Sequence, residues 1–189
     1  GMSHLGLRIL YGVINGIDGV WCERAFAPWT DMEEKLRENG LKLCALESGD
    51  ALDRFDVLAF TLQYELSYTN VLNMLDLAGV PVRAKDRDDS HPLVIAGGPC
   101  AYNPEPMADF IDLFVLGEGE EVTQELLNLY RECRKEGLGK GAYLRRACRI
   151  RGVYVPSLYD VSYNNDGTVK ALCARDGAPE TVKKRIIED

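Results

Sequence analysis

The sequence has few of the side chains that usually hold metal ions. It contains two histidines, His4 and His91, which are too few for a multi-histidine site. The closest of its six cysteines, Cys133 and Cys148, are fifteen positions apart, so no Cys-x-x-Cys or Cys-x-x-x-Cys-x-x-Cys motif is present. We therefore expect no iron–sulfur or other local metal site in this chain. The thiols are expected to be buried, inert and reduced.

The sequence also lacks long apolar runs and extended basic patches. No apolar stretch approaches the roughly 20 residues that span a bilayer, and residues 2–5 lack the basic segment of a signal peptide. The net charge is −8, and the densest basic run, residues 145–151, is short. These features argue against membrane and nucleic-acid partners and favour a cytoplasmic location. With 46% apolar residues, the chain can form one sizeable core.

Apolar runs alternate with amphipathic helical patterns along most of the chain. We predict helices over residues 3–15, 30–38, 67–78, 121–135 and 140–150, and strands over residues 21–27, 41–46, 55–60, 80–84, 92–98 and 113–116. Ser3 is the expected N-cap of the first helix, and Thr30 with Glu33 reads as a capping box. The order of elements predicts an α/β fold with a doubly wound, flavodoxin/Rossmann-like parallel sheet.

The last fifty residues differ in pattern from the rest. A strand is predicted over residues 153–156, and the turn at Asp166-Gly167 joins two alternating segments, which indicates a C-terminal antiparallel hairpin. We therefore divide the chain into three parts. These are an α/β domain (1–138), an extension made of a basic helix and the hairpin (139–176), and a charged linker (177–189).

The candidate binding site lies where the predicted parallel strands end. Right-handed crossovers bring the loops after Phe60, Gly98 and Leu116 to one edge of the sheet, and ligands of open α/β sheets bind at that edge. Glycines there allow close approach or positive φ, although a Gly-Gly pair can also be a simple turn. The candidate ligand-binding residues are Thr61, Gln63, Ser67, Gly97, Gly98, Pro99, Gly117 and Glu118.

Several of these candidates have a second interpretation. Thr61 and Ser67 offer hydroxyl groups to a ligand, but hydroxyl residues also cap helices. Glu118 and Glu120 are a possible acid–base pair. The same two carboxylates also stabilise the positive N-terminus of the helix that follows them.

Two motifs at this edge resemble a known class of domain. The first is Leu93-Val94-Ile95-Ala96-Gly97-Gly98-Pro99, followed by Glu105. The second is Ile111-Asp112-Leu113-Phe114-Val115-Leu116-Gly117-Glu118-Gly119-Glu120. Together they are similar to the cobalamin-binding-type domain that precedes radical S-adenosylmethionine enzymes. Residues 3–11, 23–29 and 60–68 resemble an uncharacterised branch of these Fe–S oxidoreductases, so the resemblance covers nearly the whole chain.

The resemblance implies a non-catalytic N-terminal module whose partner is a radical S-adenosylmethionine domain, in cis or in trans. That domain would hold a [4Fe–4S] cluster and S-adenosylmethionine outside this chain. It also implies cobalamin at the carboxyl edge of the sheet. However, the Asp-x-His-x-x-Gly motif is absent, since His4-Leu5-Gly6 has the wrong spacing and no aspartate.

Two other functions remain open. A degenerate cobalamin-type fold would act as a scaffold or interaction domain without a ligand. A self-contained enzyme with Glu118 or Glu120 as base is less well supported, since the sequence shows no nucleophile–base pair. A homo-oligomer is compatible with each of these functions.

Overall fold

The apolar run before Gly98 forms the second strand of a four-stranded sheet. The computed structural model describes residues 4–187. The helices within that range are α1 Leu5–Asn15, α2 Thr30–Glu38, α3 Tyr68–Leu77, α4 Glu120–Lys135 and α5 Lys140–Ala147. The strands are β1 Val57–Thr61, β2 Leu93–Gly97, β3 Leu113–Val115, β4 Val153–Tyr154, β5 Tyr159–Tyr163 and β6 Val169–Ala174. Short 3₁₀ helices occupy several of the connections.

The four-stranded sheet is mostly parallel. Its strand order is β1-β2-β3-β4, with β1, β2 and β3 parallel and β4 antiparallel to β3. Strands β5 and β6 form a separate antiparallel hairpin. The predicted α/β class, the parallel sheet and the C-terminal hairpin are therefore confirmed.

The core lies on both sides of β2 and β3, which explains their continuous apolar sequence. All three residues of β3 are buried, as is Val94 in β2. Helix α4 packs Val122, Leu126 and Cys133 against this core. Cys133 and Cys148 are buried as predicted, but Cys44 and Cys173 are exposed, which corrects the expectation of uniformly buried thiols.

The predicted strand over residues 41–46 does not form. The chain turns back on itself, so that Ala45 N–H donates to the Asp50 carbonyl and Leu52 N–H donates to the Leu43 carbonyl. Cys44 makes only an isolated antiparallel bridge to Ala51. Leu43 and Ala45 are buried while their neighbours are exposed, so the apolar run that suggested a strand is a half-buried turn.

The predicted strands over 21–27 and 80–84 are also absent. In the first, the Asn15 side chain bonds both the N–H and the carbonyl of Cys22, replacing a strand partner. In the second, the Arg87 guanidinium donates to the carbonyls of Pro81 and Val82. Side chains from five to seven positions away satisfy these backbone groups, so the segments remain irregular.

The helix starts differ in part from the predictions. Helix α1 begins after His4, whose Nδ1 accepts from Leu7 N–H, and the predicted cap Ser3 lies outside the described residues. Helix α2 already includes Thr30. The capping box was therefore wrong, and the Glu33 carboxylate accepts from Asn73 and Arg37 instead.

Among residues 4–187, no helix has the length and apolar character needed to span a bilayer.

Candidate functional site

The loops that follow β1, β2 and β3 meet at one edge of the sheet, as the topology predicts. Leu62 N–H donates to the Gly97 carbonyl at 2.7 Å, and Cys100 N–H donates to the Leu62 carbonyl at 3.0 Å. The turn Gly97-Gly98-Pro99 is thus bonded directly to the loop after β1. We call this set of loops, together with residues 116–118, the carboxyl edge.

Gly98 is needed for that contact between loops. Its φ is +98° and its ψ is 179°, a region of backbone space that is essentially restricted to glycine. A Cβ atom on Gly98 would lie 2.9 Å from the Leu62 carbonyl oxygen and 3.1 Å from Gln63 Nε2. Gly97 differs, because a Cβ there would meet Val115 at an ordinary 3.6 Å. The loop after β1 therefore fills the space that Gly98 provides.

The polar candidates at this edge bond to one another or to the backbone. Gln63 Nε2 donates to Thr61 Oγ1, and Ser67 Oγ donates to the Tyr64 carbonyl at 2.7 Å. Ser67 precedes α3 but makes no side-chain cap, so the capping alternative for it was wrong. Pro99 starts a short 3₁₀ turn. Thr61 is exposed, and Gln63 and Ser67 are half-buried.

The chain's own C-terminal segment occupies the position beside Gly117. Arg185 forms a parallel bridge with Gly117: its N–H donates to the Leu116 carbonyl at 2.7 Å, and its carbonyl accepts from Glu118 N–H at 3.2 Å. The Glu118 carboxylate accepts from Ile187 N–H. A Cβ on Gly117 would lie 2.7 Å from Arg185 N. We call residues 181–187 the strap.

The Arg185 side chain holds the strap on helix α4. Its guanidinium contacts the carboxylates of Glu121 at 2.6 Å and Glu125 at 2.7 Å. These contacts raise the pKa of Arg185 further above its ordinary value. Beneath the strap, Gly152 leaves room for the Arg185 backbone, since a Cβ there would lie 3.0 Å from Arg185 Cβ.

The described residues do not offer the open glycine cradle that a corrinoid would need at this edge. The space above Gly98 is filled by Leu62 and Gln63, and the space beside Gly117 is filled by Arg185. The glycines thus serve contacts within the chain. Cobalamin binding remains a prediction.

A buried charge cluster lies at the opposite edge, before β3. Asp112 Oδ2 accepts from Val94 N–H at 2.8 Å and from Arg87 Nε at 3.3 Å, and Oδ1 lies 2.7 Å from Lys140 Nζ. Lys140 Nζ lies close to Asp112 Oδ1, but it makes no hydrogen bond of acceptable geometry to any of residues 4–187. The contact is therefore a direct interaction between opposite charges. Arg87 also donates to the Phe110 carbonyl. The cluster fixes the start of β3 beside β2.

The sequence patterns above do not predict this cluster, in which Arg87 comes from the charged segment 85–91. The signal was Asp112 itself, a carboxylate directly before a fully apolar strand, which requires a buried partner. His91 of the same segment is half-buried, with Nδ1 2.8 Å from Asp88 Oδ1. Hydrogen bonds from Ser90 lower the pKa of Asp88 to about 2.

Glu105, part of the motif quoted above, also has a structural partner. Its carboxylate accepts from Tyr154 Oη at 2.8 Å and so ties β4 to the loop after β2. Burial, and then this hydrogen bond, raise the pKa of Tyr154 well above its ordinary value. Glu120, the other proposed acid–base group, is the first residue of α4, where a carboxylate stabilises the helix N-terminus.

The described part of the chain contains no group of three or more His, Cys, Asp or Glu side chains arranged to hold a metal ion.

Residues 6–156 match the sequence model of a family described as radical SAM proteins, N-terminal, where SAM is S-adenosylmethionine. The match covers most of the chain, which therefore belongs to this family. The radical SAM part of the predicted resemblance is thus confirmed, whereas its cobalamin part is untested.

A curated relative is an uncharacterized protein of Methanocaldococcus jannaschii. It is 34% identical over 129 residues, which cover 66% of this chain and 26% of the relative. The matched region thus spans about a quarter of the relative's length. No solved structure matches the chain.

Proposed function

We propose that this chain is the non-catalytic N-terminal module of a larger radical SAM protein and acts as a scaffold for the radical SAM domain. The family match and the much greater length of the relative support the first part of this proposal. The second part rests on one observation: the chain's own residues Leu62, Gln63 and Arg185 fill the space beside Gly98 and Gly117 at the carboxyl edge. A module closed in this way is suited to support a partner domain.

The electrostatics of the carboxyl edge support a structural role as well. Glu118 accepts a backbone hydrogen bond from Ile187, which leaves it poorly placed to act as a base. The nearby carboxylates Glu121 and Glu125 are paired with Arg185. Thr61 and Gln63 bond to each other, so neither presents a nucleophile activated by a neighbouring base.

Titration with hydroxocobalamin, followed by visible absorption, tests the scaffold role. We expect no stoichiometric binding by this chain or by a longer protein that includes the radical SAM domain. Stoichiometric binding to the longer protein that is lost when Thr61 and Gln63 are both changed to alanine would overturn the proposal in favour of a corrinoid site. Ser162→Ala, in the separate hairpin, is the matched control and should leave the titration unchanged.

Anaerobic reconstitution with iron and sulfide tests the parent function. The longer protein should assemble a [4Fe–4S] cluster and, with dithionite as the electron donor, cleave S-adenosylmethionine to 5′-deoxyadenosine. This chain alone should do neither, because its cysteines lack the required spacing. A stoichiometric cluster in this chain, or no cluster in the longer protein, would contradict the proposal.

A further inference from the structure

The β5–β6 hairpin exposes apolar side chains on one face. Val161 pairs across the strands with Leu172, and Tyr163 pairs with Val169. Val161 and Tyr163 are two positions apart and cross-strand partners share a side, so all four lie on the same side; the register shift in β6 accounts for the three positions between Leu172 and Val169. Their exposed fractions are 36%, 46%, 62% and 61%, respectively. We call these four residues the hairpin face. The base of the same side is covered, because Tyr159 is buried against the core.

A hairpin of this kind is poorly stabilised in water. An isolated pair of strands is marginally stable, and packing against another element is what normally makes it persist. Within residues 4–187, β5 and β6 pair only with each other in their sheet. The opposite side carries Asp160 and Ser162, paired with Cys173 and Ala171, so it has no large apolar side chain and is the more polar of the two. A contiguous exposed apolar patch is typical of an interaction site.

The hairpin's edges are protected in a way that its apolar face is not. The register shifts at Ser162 and Tyr163, which leaves Lys170 as an extra residue in β6. A bulge with an exposed lysine discourages the addition of another strand. The ion pair between Arg175 and Asp160 adds charge at the base of the hairpin. A partner is therefore expected to pack on the apolar face and not to extend the sheet.

We infer that the hairpin face packs against the radical SAM domain of the same protein. This inference rests on the function proposed above and names the contact surface for it. The relative is about four times as long as the region it shares with this chain, so ample chain exists to form such a domain. A tethered domain is present at an effective concentration in the millimolar range, which suffices for a small surface.

A second copy of the chain is a poorer fit to this face. Stable interfaces between separate proteins use about 20–30 residues on each side. The hairpin face offers four large apolar side chains. A surface of this size gains useful occupancy only when its partner is held nearby by the chain itself.

Hydrogen exchange measured by mass spectrometry tests the contact in the longer protein, with this chain as the reference. The amides of residues 159–174 should exchange at least about tenfold more slowly in the longer protein. Leu172→Asp should abolish this slowing, whereas Ser162→Asp, on the opposite side, should preserve it. The two variants must first show equal exchange in this chain alone, which separates loss of docking from loss of the hairpin.

A photo-crosslinking residue at Tyr163 provides a second measurement that does not depend on hairpin stability. Crosslinks from Tyr163 to peptides of the radical SAM domain within one molecule are expected, and none should form from Ser162. Equal exchange of the hairpin in both proteins, or crosslinks only between copies that disappear on dilution, would overturn the inference. Cluster assembly and 5′-deoxyadenosine formation are measured separately. A protein that forms the cluster but leaves the hairpin unprotected contradicts only the docking inference, whereas one that lacks the cluster contradicts the proposed function.

Discussion

Replacing Asp112 by asparagine should remove a large part of the chain's stability. The side chains of Asp112 and Arg87 are 2% and 0% exposed, and that of Lys140 is 15% exposed. Asparagine keeps the shape and one acceptor for Val94 N–H but loses the charge. The two cations would then remain out of water without the carboxylate that faces them, which is the costly way to break a buried ion pair.

The expected loss of unfolding free energy depends on the hydrogen bonds that the unpaired cations retain. Breaking a buried pair by removing one partner destabilises proteins by about 3–5 kcal/mol. Arg87 retains hydrogen bonds to the carbonyls of Pro81, Val82 and Phe110, which places the effect near the lower end, about 3 kcal/mol. Domains are typically stable by about 5–15 kcal/mol. The Asp112→Asn variant should therefore fold, but with a much smaller free energy of unfolding.

Urea unfolding followed by circular dichroism measures this effect. With a slope of about 1–3 kcal/mol per molar, the midpoint should fall by about 1–3 M. The matched control is Asp109→Asn, which breaks an exposed pair with Arg83 and should change the stability by less than about 1 kcal/mol.

A double variant, Asp112→Asn with Lys140→Met, should recover part of the loss, because it removes one of the two unpaired cations. If Asp112→Asn changes the unfolding free energy no more than Asp109→Asn does, the reasoning about the buried cluster is wrong.

Three further predictions concern the two glycine positions and Tyr154. Gly98→Ala should lower stability by about 1–3 kcal/mol because of its positive φ and the close Leu62 carbonyl, whereas Gly97→Ala should be tolerated. Gly117→Ala should displace the strap, seen as faster hydrogen exchange at residues 185–187. Because the pKa of Tyr154 is higher in the folded than in the unfolded chain, its protonated phenol stabilises the fold below about pH 10. This stabilisation is lost as the pH rises above that value, so the free energy of unfolding measured in urea should fall in alkali.

Each of these three predictions would be contradicted by a specific result. Equal unfolding midpoints for Gly98→Ala and Gly97→Ala would show that the loop contact relaxes without strain. Unchanged exchange at residues 185–187 in Gly117→Ala would show that the strap is held by Arg185 and α4 alone. A Tyr154 phenol that titrates near its ordinary pKa in ultraviolet absorption would contradict the burial argument. A lower pKa for this phenol in Glu105→Gln would show that the hydrogen bond to Glu105 adds to the effect of burial.

The sequence predicted three of the strands of the larger sheet. Residues 92–98 and 113–116 contain β2 and β3, whose apolar runs reflect burial on both faces, whereas β1, predicted over residues 55–60, is only partly buried. Residues 41–46 and 80–84 were assigned wrongly, since local pattern does not show which groups satisfy a backbone. In the second segment the Arg87 guanidinium takes the carbonyl groups.

The candidate residues lie at one edge of the sheet as predicted, but local spacing does not show which segments of the chain lie beside them. Topology alone brings Thr61, Gly98 and Gly117 to one edge, because parallel strands end on the same side. The segment that fills the space beside Gly117 comes from Arg185, far along the chain. Likewise, Asp112 signals a buried partner, but nothing near it in sequence identifies Lys140.

The strap also sets an order of events during synthesis. Gly117 and Arg185 are 68 positions apart, so a ribosome adding about 5–20 residues per second needs roughly 3–14 s between them. Throughout that interval the Leu116 carbonyl and the Glu118 N–H can bond only to water at the end of β3. The last hydrogen bonds of the sheet edge therefore form only once Arg185 and Ile187 have left the ribosome.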